Sequence, residues 1–223
     1  MHQAYPIMME VSGPTAMWTR PDTGDSPVSY PAPTYSAVRG IFSSILWGPA
    51  IEIIPIKVEI CEPIEYHSYS TNYGGPLRSN IQIKNGNNYQ MFATVLIDVC
   101  YRLYAEVVPY KDKARLPKNA LAWDKQTSSP GHAYQSIFKR RLQQGAYYQV
   151  PCFGLKEFTV SYVGEFRDGT SVQTNLPDIH ISSMLREVFN KGYDSSVSYS
   201  YDTNLVIQGG VLHYPTRGTA YDK

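Results

Sequence analysis

His132 stands at the head of a run that ends in three consecutive cations, Lys139, Arg140 and Arg141. At helical spacing, His132, Ser136, Lys139 and Arg140 share one side, while Tyr134, Ile137, Phe138 and Leu142 share the other. An imidazole with an unperturbed pKa of about 6.5 can take or give a proton near neutral pH. Helix rise sets Lys139 and Arg140 about 10–12 Å from His132. That is long for one phosphate and right for two successive ones. Such a set can move a proton and steady negative charge beside a phosphate backbone, and His132 and Lys139 are the candidates for those roles. A surface histidine beside a solvated basic face reads from the same residues.

The charge pattern bears on this choice. Net charge is only +1, but residues 111–141 carry 8 basic and 2 acidic side chains. Residues 1–110 carry 6 basic and 9 acidic side chains, and residues 142–223 carry 6 and 8. Local density rather than the total sets the potential a phosphate meets. The 19 tyrosines suit base stacking, and they suit ordinary strands as well.

Other function classes are disfavoured. Cys61, Cys100 and Cys152 are widely spaced and odd in number, which fits a reducing cytoplasm better than a disulfide framework. No CxxC or HxxxH spacing occurs, so neither a metal site nor a cofactor is expected. No apolar run reaches the roughly 18 residues of a membrane span, and no basic and apolar leader opens the chain. Neither GxxxxGK[ST] nor GxSxG is present. His67, His180 and His213 form no pattern.

Several elements must position the candidates. Tyr5–Ser12 reads as a strand stopped by Gly13-Pro14. Thr34 can cap a helix from Tyr35 to about Trp47, with Val38, Ile41, Phe42 and Ile45 on its buried stripe. Ile51–Cys61 alternates, with Ile54, Ile56, Val58 and Ile60 on one face, and Pro55 marks an edge or a bulge. Thr94–Val108 alternates likewise. Between these strands the polar, tyrosine-rich segment 62–93 reads as a protruding hairpin finger. Pro130-Gly131 opens a second helix, His132–Gln144, with Gly145 as its C-cap. Glu157–Phe166 reads as a further strand, and Gly209-Gly210 as a bulge in Asn204–Tyr214. The order βαββαβ predicts an α+β, ferredoxin-like (RRM-type) domain over residues 1–166, with a small β-rich appendage over 167–223.

Five segments carry a resemblance. They are Tyr30-Pro31-Ala32-Pro33-Thr34-Tyr35, Arg39-Gly40-Ile41 with Ser44-Ile45-Leu46-Trp47, and Ile60-Cys61-Glu62-Pro63-Ile64. The others are Ile137-Phe138-Lys139-Arg140-Arg141-Leu142 and Pro151-Cys152-Phe153-Gly154-Leu155-Lys156-Glu157-Phe158. Together they resemble the Cas-five subunit of type I-C CRISPR effector (Cascade) complexes, of the RAMP superfamily. The resemblance implies a cytoplasmic subunit that grips the 5′ handle of CRISPR RNA. It implies contact with the backbone subunit and the large subunit, and with target DNA only through the complex. It also implies metal-independent cutting of precursor RNA.

The family pattern has a tyrosine before the tryptophan that ends the first helix, where this chain has Leu46. It has a Lys-His pair at the second helix, where this chain has Ala133 and Tyr134. Tyr134 thus joins His132 and Lys139 as a catalytic candidate. The alternative is a structural, non-catalytic RNA-binding cap. The RNA-binding candidates are Arg39, Trp47, Tyr66, Tyr69, Tyr73, Arg78, Lys139, Arg140, Arg141 and Lys156. Trp47 follows a buried stripe and reads as core too.

Overall fold

The computed structural model describes residues 5–73, 79–86, 89–110, 116–188 and 197–216. The first strand, β1 (Tyr5–Ala16), buries Ile7, Met9 and Val11 on one face and sets Glu10 on the other. α1 (Tyr35–Ile45) starts as its sequence predicts, with the Thr34 hydroxyl accepting from the Ala37 N–H at 3.2 Å. It stops two residues short of Trp47, because Leu46 is already extended. Its buried stripe is Val38, Ile41, Phe42 and Ile45.

β2 (Ile51–Ile60) corrects one expectation. Its register on the neighbouring strand shifts between Pro55 and Lys57. Ile51, Ile53 and Pro55 point inward before this bulge, and Val58 and Ile60 after it. Ile54 and Ile56 therefore leave the face the simple alternation gave them, since one extra residue inverts a period of two. Pro55 sits at the bulge and not at an edge, because β2 is an interior strand.

β3 (Glu65–Tyr73) and the first part of β4 (Tyr89–Pro109) pair from Glu65↔Ile97 to Tyr73↔Tyr89, and this antiparallel pair is the finger. A single capped turn of helix, α2 (Asn80–Lys84), lies in the segment between them. The second part of β4 runs between β1 and β2. Asp98, with φ +49°, marks the passage from one part to the other. The basic stretch after β4 holds α3 (Lys118–Gln126), which the sequence did not announce; Leu116 and Ala120 pack on Ala50.

α4 (Pro130–Gln144) ends on Gly145 in the left-handed region, φ +62°. Phe138 meets Phe42 at 5.6 Å between ring centroids, so α1 and α4 lie side by side on one face of the sheet.

Of the expected strand 157–166, Tyr162–Gly164 forms a strand, β5, paired on β1, and Thr159 makes an isolated bridge to Cys152. The preceding Pro151–Phe158 is a compact turn. The Phe153 N–H donates to the Phe158 carbonyl at 2.8 Å, and Phe153 is fully buried against Trp18 and Tyr101. Gly154 has φ +90°, and a Cβ there would lie 1.8 Å from the Met17 carbonyl oxygen, so only glycine fits.

The remaining strands are β6 (Ile179–Glu187), β7 (Ser200–Gln208) and β8 (Val211–His213). Gly209-Gly210, with φ +55° and +75°, forms the two-residue turn of the β7–β8 hairpin and not a bulge. The sheet order is β5-β1-β4-β2-β8-β7-β6, with every ladder antiparallel and β3 attached to β4. The C-terminal strands thus continue the main sheet through β8 on β2, and Ile181, Met184, Leu205, Ile207 and Leu212 share its core.

A polar knot fastens the C-terminal half to the sheet face away from the helices. Glu10 has no exposed surface. Its carboxylate accepts from the Arg167 Nε at 2.5 Å, the Arg167 N–H at 3.1 Å, the Thr170 hydroxyl at 3.0 Å and the Arg102 Nε at 3.3 Å. Burial pushes this carboxyl up, but the Arg167, Thr170 and Arg102 hydrogen bonds outweigh it and hold the pKa below its ordinary value.

Candidate functional site

The start of α4 is clamped onto the start of β1. The Tyr5 hydroxyl bonds the Ser129 hydroxyl at 2.7 Å, and Gln135 donates to the Pro6 carbonyl at 2.6 Å. Gly131 is required there, since a Cβ would come within 2.4 Å of the Tyr5 ring. His132 is exposed at this clamp, edge-on to Tyr5 with centroids 6.0 Å apart. The same end of the sheet receives the C-terminus of α1. There Trp47, weighed above as core, is 57% exposed.

Lys139 and Arg140 are exposed further along α4, and Lys118 and Lys125 are exposed on α3. None of these four has an acidic partner among the described residues. His132 and Lys139 share a helical face, about 10 Å apart by helix rise. This end can therefore offer an imidazole, an exposed aromatic ring and several uncompensated cations to one anionic strand.

Three candidates serve the fold instead. Tyr134 is 2% exposed, stacks on Phe138 at 6.4 Å and donates its hydroxyl to the Leu46 carbonyl. Burial drives its phenol far above the ordinary value. It is a core residue with no face toward a substrate. Arg141 turns inward and donates to the Ile45 carbonyl at 3.0 Å, capping the last turn of α1. Arg39 pairs with Glu187 of β6.

The finger gives a second area. Tyr66 is 47% exposed, whereas Tyr69 is half-buried against Met17, Ala93 and Val95. Arg78 and the Tyr73 side chain lie outside the described residues. Phe92 is exposed on the same finger face as Tyr66, because Ser70 pairs with Phe92 and Tyr66 with Leu96. Phe92 was missed as a candidate; its signal was an aromatic at a solvent-facing position of a polar, alternating run. Lys156 is exposed in the Pro151–Phe158 turn.

The α4 area and the finger do not merge into one groove. Tyr5, under His132, pairs with Val107, and Ala16, at the finger base, pairs with Leu96. The two areas therefore stand at opposite ends of β1, about 36 Å apart at strand rise.

A family model described as CRISPR-associated protein (Cas_Cas5), of the Cas5d type, matches residues 7–217. The chain belongs to the CRISPR-associated Cas5 family. It is 30% identical over 171 residues to a protein of Mannheimia succiniciproducens named CRISPR pre-crRNA endoribonuclease Cas5d. That alignment covers 70% of this chain and 71% of its relative. A crystal structure of a CRISPR-associated protein superposes with a TM-score of 0.70 at 19% identity, over 99% of this chain and 96% of that one. A chain of a CRISPR RNA-guided surveillance complex superposes at 0.50 and 14% identity, over 93% and 91%. At such identities the likeness is one of fold. The motif resemblance read in the sequence thus points to the family the comparisons give, and the Cas5 match extends through β6, β7 and β8 as well.

Proposed function

We propose that this Cas5 chain is the subunit of a type I-C surveillance complex that holds the 5′ handle of CRISPR RNA and cuts the precursor. The observation that carries the reading is the exposed His132 at the clamped start of α4, with Trp47, Lys139 and Arg140 on the same end of the molecule. The name borne by the Mannheimia relative supports it.

His132 takes the 2′-OH proton, the 2′-oxygen attacks phosphorus, and the P–O5′ bond breaks, giving a 2′,3′-cyclic phosphate and a 5′-hydroxyl that takes its proton from water; the proton held by His132 passes back to solvent. Lys139 and Arg140, about 10 Å along the helix, hold the next phosphate. We read strands β5-β1-β4-β2 with α1 and α4 as a ferredoxin-like core. In this reading residues 1–166 form the RNA-gripping unit and residues 167–223 its C-terminal extension. The same reading makes it a cytoplasmic protein that meets the backbone and large subunits of Cascade, and target DNA through them.

A second reading, a non-catalytic RNA-binding cap, is favoured by one observation. Tyr134, which fills one of the family's catalytic slots, is buried and donates its hydroxyl to the backbone carbonyl of Leu46, which fills another. Purified protein incubated with its repeat RNA in EDTA separates the two. Cleavage ending in a 2′,3′-cyclic phosphate is expected; intact RNA in a stable complex would leave the cap reading standing.

A further inference from the structure

A groove of about 430 Å³ lies at the base of the finger, at the far end of β1 from His132. Its walls are Tyr66 of β3, the Arg20–Asp22 turn, and His180, Ser182 and Ser183 of β6. Its floor is apolar, from Tyr30, Pro31, Ile64 and Ile181. β6 is the last strand of the sheet, and its outer edge faces this gap. The Leu185 N–H on that edge is already taken, donating to the Tyr30 hydroxyl at 3.2 Å, so Tyr30 shapes the wall.

The groove has the volume of small-molecule sites and their mixture of an apolar body with a few polar groups. Its exposed ring is Tyr66, which continues the finger face bearing Phe92. Its cation is Arg20, 42% exposed at the side chain and held at 2.7 Å by Asp22, itself 61% exposed. A pair so open to water is worth little and yields readily to a ligand. Asp22 makes the site poor for a bare phosphate. With a carboxylate, hydroxyls and an imidazole beside one cation, the lining matches a nucleoside that has its phosphate attached.

We infer that this groove receives one unstacked nucleotide of single-stranded RNA, its base against Tyr66 and its phosphate toward Arg20. The inference rests on the RNA-handling reading above and adds to it a subsite away from the cutting end, reached along the finger. Asp22 accepts from a ribose hydroxyl or a base amino group, and Ser182 and Ser183 offer hydroxyls from β6. A β-strand of a partner protein is disfavoured, since Tyr30 already occupies part of the β6 edge.

The test uses the full chain and the repeat RNA of its own locus, carrying a single 4-thiouridine at each position in turn. Photocross-links from one position should map to residues 62–66 or 179–183. Tyr66→Ala should weaken binding by about 5- to 150-fold, the range for losing one base stack. Tyr66→Phe, which keeps the ring, should bind like wild type. Arg20→Ala should lower the slope of log K against log salt by about 0.7. If RNA binds tightly while Tyr66→Ala is unaffected and no cross-link reaches the groove, the groove serves a protein partner and the inference falls, with the function reading intact. If the wild-type chain binds no repeat RNA, both readings fall together.

Discussion

The phenol of Tyr134 donates a hydrogen bond to the backbone carbonyl of Leu46. These residues fill slots in which the family resemblance implies catalytic side chains. Here they join the end of α1 to the start of α4. The contact ties together the end of the sheet that presents His132 and Trp47, and it engages the Tyr134 hydroxyl within the protein.

Tyr134→Phe therefore tests structure alone. It leaves the half-buried Leu46 carbonyl without this partner, and the expected cost is about 0.5–1.5 kcal/mol. Denaturant unfolding should register that loss while the rate of repeat-RNA cleavage stays at the wild-type value. A fall of a hundredfold in cleavage would return Tyr134 to the mechanism.

His132→Ala removes an exposed ring whose described neighbour is Tyr5, so folding should be unaffected. Loss of a general base costs about 10²–10⁴-fold in rate. Single-turnover cleavage in EDTA should drop by at least the lower figure, with RNA affinity within twofold. Unchanged cleavage would take His132 out of the reaction.

Lys139→Ala combined with Arg140→Ala should weaken handle binding and reduce its salt sensitivity. Two lost phosphate contacts lower the salt slope by about 1.4 for a single strand. Fluorescence anisotropy between low and moderate salt measures this directly. An unaltered slope would mean that this helix face meets solvent and not RNA.

Glu10→Gln loses the charge that holds Arg167, Arg102 and Thr170, and the expected destabilisation is about 1.5–3 kcal/mol. The pH dependence has a definite sign. The folded-state pKa of Glu10 lies below the ordinary value of 4.5. Its contribution is therefore present above that value and is lost as pH falls through the depressed folded pKa. Thermal unfolding followed from pH 6 downward should show wild type losing stability more steeply than Glu10→Gln. Parallel curves would show that the carboxylate carries no such linkage.

Much of the framework was legible because periodicity and caps carry it. Thr34, Gly145 and the buried stripe of α1 mark the helix ends and faces by local chemistry alone. The bulge near Pro55 was visible as a proline, but its effect on which isoleucines point inward needed the partner strand. α3 escaped notice because its few apolar positions bury themselves on Ala50, a contact far away in sequence. Of the candidate site, the common helix of His132, Lys139 and Arg140 was legible, because spacing along one element sets which side chains share a face. Arg39, Arg141 and Tyr134 were drawn away by partners on other elements, which spacing cannot show. The groove escaped altogether, because Arg20, Tyr66 and His180 come from three distant segments.

One strand, β4, runs 21 residues from the finger into the middle of the sheet. The finger is thus a cantilever rooted in the body through one continuous strand. To swing it, the molecule must twist its own central beam past Asp98, against the ladders to β1 and β2 on either side. On the RNA-handling reading proposed above, a strand laid along Phe92 and Tyr66 would load the central sheet itself, because the same β4 runs through both finger and sheet.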